Sequence, residues 1–99
     1  MTIAEILKNK KVSLSFEVFP PKKKEALDSI KKTACSLPEL KPDFISVTLG
    51  AGGTTKGNTA EIAEAIEQSG TTALAHLTCL RSTSDALNNT IQNLKEKKI

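Results

Sequence analysis

The sequence predicts an α/β fold in which three βα units follow a short N-terminal helix. Three observations predict it. Apolar residues alternate with period two in three short segments, they recur at three- and four-residue steps in the stretches between, and Gly or Pro marks most of the junctions. Strand and helix alternate along the chain, which implies a parallel sheet with right-handed crossovers. With 99 residues, 38% hydrophobic and 25% charged, the composition is that of one small soluble domain with a modest core.

The first helix is placed at residues 3–8. Residues 12–19, VSLSFEVF, set Val12, Leu14, Phe16 and Val18 against Ser13, Ser15, Glu17 and Phe19, the period of a strand whose apolar side packs on the helices. Pro20 and Pro21 fix φ and lack amide donors, so the strand stops there. A helix then starts near Lys23. Leu27, Ile30, Ala34 and Leu37 form its apolar stripe, Lys24, Asp28, Lys31 and Lys32 lie outside it, and Pro38 closes it. Residues 44–48, FISVT, are aromatic and β-branched and form a second strand that runs into a glycine-rich loop. Asn58 with Glu61 resembles a capping box for a helix whose Ile62, Ala65 and Ile66 face one side and whose C′ residue is Gly70. Residues 72–78 make the third strand, and the run Ser82-Thr83-Ser84-Asp85 offers caps for a last helix carrying Leu87, Ile91 and Leu94.

Three parallel strands cannot close a barrel, and helices on one face would leave the other bare, so the chain reads as incomplete. No stretch approaches the ~20 apolar residues of a transmembrane helix, and residues 1–11 lack the pattern of a signal peptide. Membrane insertion and secretion are therefore disfavoured. Cys35 and Cys79 form neither a CxxC pair nor a Cys/His cluster, so no disulfide framework and no metal site is expected, and a reducing cytoplasm fits. The net charge of +3 is spread over separate lysine groups, and three Phe with no Trp or Tyr speak against a nucleic-acid partner.

Ligands of parallel α/β folds collect at the C-terminal ends of the strands. The phase of alternation puts Glu17, Thr48 and His76 near those ends, on the face turned away from the helices. A glutamate on an apolar strand is costly, so either burial raises its pKa toward the range of a general acid or a Lys or Arg pairs with it. Without a second ligand, His76 reads as a satisfied half-buried histidine and not as a metal ligand. The loop Gly50-Ala51-Gly52-Gly53-Thr54-Thr55-Lys56-Gly57 has the composition of a phosphate cradle, yet it fits neither the Walker A pattern nor the dinucleotide fingerprint.

Ser15-Phe16-Glu17-Val18-Phe19-Pro20-Pro21-Lys22, Ser46-Val47-Thr48-Leu49-Gly50-Ala51-Gly52-Gly53 and Ala75-His76-Leu77-Thr78-Cys79, in this order and spacing, resemble the N-terminal part of the methylenetetrahydrofolate reductase family. The resemblance implies a flavin-containing TIM (β/α)8 barrel. Residues 1–99 would be its N-terminal three βα units, an incomplete barrel within a single reductase domain and without a second domain. It also implies FAD as cofactor, NADH or NADPH as reductant, and 5,10-methylenetetrahydrofolate as the small-molecule substrate reduced to 5-methyltetrahydrofolate in one-carbon metabolism and methionine supply.

Glu17 matches the family's catalytic glutamate, the general acid that opens the folate imidazolidine ring. Thr48 matches a residue lining the nicotinamide and flavin site. Leu49, Ala51 and His76 match positions that contact FAD, Leu49 and Ala51 through their backbones. Leu49 departs from the aromatic residue that many relatives carry, which removes any stacking there. Further site residues come from later strands, so the segment alone is expected to be inactive. The alternative reading is a non-catalytic barrel fragment that binds anions or self-associates through open sheet edges, and a homo-oligomer is expected.

Overall fold

Helix α1 (Ile3–Asn9) opens the chain in a computed structural model that describes residues 2–49, 58–80 and 82–99. The Thr-x-x-Glu spacing at residues 2–5 forms a capping box. Thr2 Oγ1 accepts from the Glu5 amide at 3.2 Å, and Glu5 Oε2 accepts from the Thr2 amide at 2.7 Å. Those bonds favour the charged carboxylate and hold Glu5 below its ordinary pKa.

Strands β1 (Ser15–Val18), β2 (Phe44–Val47) and β3 (Thr72–Ala75) form a parallel sheet in that order. Ser15 stands opposite Phe44 and Phe44 opposite Thr72. β1 is shorter than the alternation at 12–19 predicts, and Val12 is 83% exposed instead of packed. The cause lies on its partner. One step before β2 the Asp43 amide still donates to Leu14 O at 2.7 Å, but the Leu14 amide is taken by the Asp43 carboxylate at 2.9 Å. Pro42, before that, has no amide to continue the ladder. At the other end pairing continues one residue further: Thr48 N donates to Val18 O at 3.1 Å and His76 N to Val47 O at 2.9 Å.

Helix α2 (Leu27–Ser36) follows a 3-10 turn at Lys24–Ala26. Pro38 does not close it outright. The chain tightens into a second 3-10 turn, Leu37–Leu40, where a proline in the first turn lacks only an amide that needs no partner. The turn ends at Lys41 in the left-handed region, with φ 54°.

Helix α3 (Asn58–Gln68) already includes Asn58, and the carboxylate of Glu61 accepts from Lys31 Nζ on α2 at 3.0 Å in place of the expected box. That partner raises the pKa of Lys31. The C-terminus matches expectation. Gly70 has φ +97°, Gly70 N donates to Glu67 O and Thr71 N to Ile66 O, the bond pair of a Schellman motif.

Helix α4 (Ser84–Glu96) takes Thr83 as its cap, the hydroxyl accepting from the Ala86 amide at 3.1 Å. Its apolar stripe does not enter the core: no residue of α4 is buried, and Ile91 is exposed. The segment after it is tied down by Lys97 Nζ to Glu64 Oε2 at 2.5 Å and by Ile99 against the core.

The core joins Leu27 and Ala34 of α2, Ile62, Ala63 and Ile66 of α3, and Ile45, Val47 and Ala73 of the sheet, flanked by Phe16, Val18 and Ala75. This is the helix-facing phase that the alternation assigns to each strand. Within α3, Ala63 takes the buried place expected of Ala65, which lies toward α2 with its carbonyl 3.6 Å from Cys35 Sγ. Among the described residues, helices α2 and α3 form the core with one face of the sheet.

Candidate active site

On the opposite face the register sets Glu17 of β1 directly across from Ser46 of β2, and Ser46 across from Leu74 of β3. Two residues on from Ser46 and Leu74 come Thr48 and His76. Neighbouring strands lie ~4.8 Å apart, so β1 and β3 are separated by ~10 Å. Glu17 and His76 nevertheless meet. Both side chains lean over the small Ser46 between them, bringing His76 Nε2 to 3.6 Å from Glu17 Oε1. That is too long for a hydrogen bond but within reach of an ion pair once the imidazole is protonated. Ser46 Oγ donates to the same Oε1 at 3.2 Å.

Ser46 is the anchored member of this trio, 8% exposed on the central strand. The side chains of Glu17 and His76 are 47% and 40% exposed. The burial expected of Glu17 is therefore absent among the described residues, because its face of the sheet carries no covering layer there. Among the described residues its side-chain partners are a serine and a histidine. In the sequence Ser46 figures only within the Ser46–Gly53 motif and is assigned no role. Its small size directly between two chemical side chains was the signal that could have marked it.

Thr48 and Leu49 are half-buried. Both polar groups of the Thr48 backbone are engaged, since its amide bonds Val18 O and its carbonyl accepts from the buried Thr59 Oγ1 at 2.9 Å. Thr59 thereby fastens the first turn of α3 to the end of β2. The His76 amide is likewise engaged, donating to Val47 O. Ala51 and the glycine-rich loop lie outside the described residues.

The site thus offers a carboxyl group with one oxygen held and an imidazole at its side, a set suited to moving a proton. A separate open cleft lies near the N-terminal end of β3, lined by Ile3, Glu67, Thr72, Lys98 and Ile99, and none of the candidate residues borders it. Among the described residues no helix is long and apolar enough to cross a membrane.

The family model described as methylenetetrahydrofolate reductase matches residues 2–99. The chain is 38% identical over 77 residues to the 5,10-methylenetetrahydrofolate reductases of Salmonella typhimurium and Escherichia coli K12, covering 77% of this chain and 26% of each relative. A rice relative, named "Probable methylenetetrahydrofolate reductase (NADH)", is 31% identical over 98 residues, 98% of this chain and 16% of its own length. The chain therefore spans about a quarter of the length of the bacterial relatives. With three strand-end signatures in register on one sheet and a family match from residue 2 to residue 99, the chain belongs to the methylenetetrahydrofolate reductase family.

Proposed function

We propose that residues 1–99 form the first three βα units of a single (β/α)8 reductase domain. That domain reduces 5,10-methylenetetrahydrofolate to 5-methyltetrahydrofolate, with FAD as resident cofactor and NADH or NADPH as reductant, in one-carbon metabolism and methionine supply. The observation that carries the reading is the convergence of Glu17, Thr48 and His76 on one open face at the C-terminal ends of three adjacent parallel strands. The parallel order β1-β2-β3, with helices on the other face, is what the opening of such a barrel requires.

The residues present fit a flavin. Thr48 and His76 lie side by side with engaged amides, and Leu49 follows at the strand end, where its backbone would make the contact since it has no ring to stack. Ala51 would extend the same edge. FAD, when bound, carries the hydride from the nicotinamide to the folate. Glu17 supplies the proton. As a ring C–N bond of the imidazolidine opens, the leaving nitrogen takes the proton from the Glu17 carboxyl, Glu17 remains as carboxylate, and the methylene carbon is left as an iminium on the other nitrogen, ready for hydride.

The exposed free thiols of Cys35 and Cys79 support a reducing, cytoplasmic location. Strands β1 and β3 are each paired on one side among the described residues, edges that the remaining strands of the barrel would close.

Two half-reactions test the reading. In a full-length reductase containing these residues, Glu17→Gln lowers folate reduction by ~100-fold or more while NADH or NADPH still bleaches the flavin, in line with the loss of a general acid. Equal loss of both half-reactions overturns the assignment of Glu17. The 99 residues alone are expected to show no turnover; titrating them with FAD while following flavin fluorescence and the visible spectrum shows whether they hold the cofactor unaided.

A further inference from the structure

We propose that Ser46 positions the Glu17 carboxyl group, holding Oε1 and leaving Oε2 as the oxygen presented to a ligand. The Glu17 side chain has three rotatable bonds and is half exposed, so left to itself it would distribute among rotamers. The β1–β2 register places the Ser46 hydroxyl directly across from it, on a strand flanked on both sides and 92% buried at this residue. The hydroxyl donates to Oε1 at 3.2 Å, and His76 Nε2 approaches the same oxygen at 3.6 Å. Both neighbours therefore address one oxygen. Among the described residues, Oε2 receives no side-chain hydrogen bond.

This asymmetry has a chemical result. A protonated carboxyl group has one O–H donor and one carbonyl acceptor. The carbonyl oxygen is the stronger acceptor, so the bond from Ser46 favours Oε1 as the carbonyl and the proton on Oε2. Size matters as much as the hydroxyl: Ser46 lies under the space across which Glu17 and His76 meet, and a long side chain there would part them. In its catalytic consequence the inference rests on the folate reaction proposed above, whereas the positioning itself does not.

The test separates the two. In the 99-residue chain, three-bond scalar couplings of Glu17 measured by NMR report whether its side chain keeps one rotamer. Wild type is expected to show a single dominant χ1 and χ2. Ser46→Ala, and Ser46→Cys, which keeps the volume with a much weaker donor, are expected to give averaged couplings. Ser46→Thr, which restores the hydroxyl on a residue suited to a strand, returns the wild-type values. Averaged couplings in wild type, or unchanged couplings in both Ser46→Ala and Ser46→Cys, overturn the proposal. In the flavin-loaded full-length reductase, Ser46→Ala is expected to lower kcat of folate reduction about 10-fold with KM for folate and flavin reduction by NADH or NADPH nearly unchanged, and Ser46→Thr recovers it, as removal of one aid to general acid catalysis predicts. Unchanged kcat in Ser46→Ala overturns the catalytic role. Should Glu17→Gln still reduce folate, the reaction assignment fails, and the NMR couplings still decide whether Ser46 holds Glu17.

Discussion

Asp43 stands where β2 would run backwards into Pro42, and its carboxylate serves two neighbours at once: the Leu14 amide and the ammonium of Lys10. The Lys10 ammonium, and after it the Leu14 amide, hold the Asp43 carboxyl below its ordinary pKa. The sign of the pH dependence follows. A depressed acid adds stability that is fully present above its unfolded pKa of about 4 and is lost as pH falls through the lower folded value. Thermal melts of wild type and Asp43→Asn between pH 7 and pH 2.5 should therefore differ by a constant amount down to about pH 4 and converge only as pH falls further through the lower folded value. A gap that stays constant over the whole range would mean that the charge on Asp43 contributes nothing. The same scale decides how much of the candidate site the sequence disclosed. Period-two alternation sufficed to put Glu17, Thr48 and His76 on one face, because side-chain phase is a property of the strand alone. The contact between Glu17 and His76 was not legible, because it spans two strands and depends on the serine between them.

At the scale of the element, termini were read well where the motif is local and poorly where a partner intervenes. Gly70 illustrates the first case. The C′ position of α3 was predicted from one glycine after an amphipathic run, and its φ of +97° matches that role. A Cβ at Gly70 would meet nothing within 4 Å, so Gly70→Ala strains only the backbone. The expected cost is about 1–2 kcal/mol, read as a lower urea midpoint with an unchanged slope. A neutral result would show that the Schellman turn can relax without loss. The Asn58–Glu61 spacing illustrates the second case, since Glu61 bonds Lys31 of the neighbouring helix. The Thr2–Glu5 spacing, equally local, does form its box. Pro38 stopped the α-helix without stopping the helical chain, as a 3-10 turn tolerates proline at its start.

Across the whole molecule, stability is concentrated between the sheet and helices α2 and α3, where Ile45, Val47, Ile62 and Ile66 are fully buried. Ile66→Ala should cost about 2–5 kcal/mol, a large part of the stability of a domain this small. Ile91→Ala on the exposed side of α4 should change it by less than about 0.5 kcal/mol. Urea unfolding followed by circular dichroism compares the two, and similar losses would place α4 in the core. The sequence by itself determined the order of elements, the parallel sense of the sheet and the inward phase of each strand, since periodicity and turn residues act over a few neighbours. Tertiary structure alone decided that β1 begins at Ser15, that the stripe of α4 stays out of the core, and that Glu17 is held by Ser46 beside His76. Each of these depends on which group from a distant part of the chain arrives at the surface to be covered or the oxygen to be bonded, and local pattern carries no record of that.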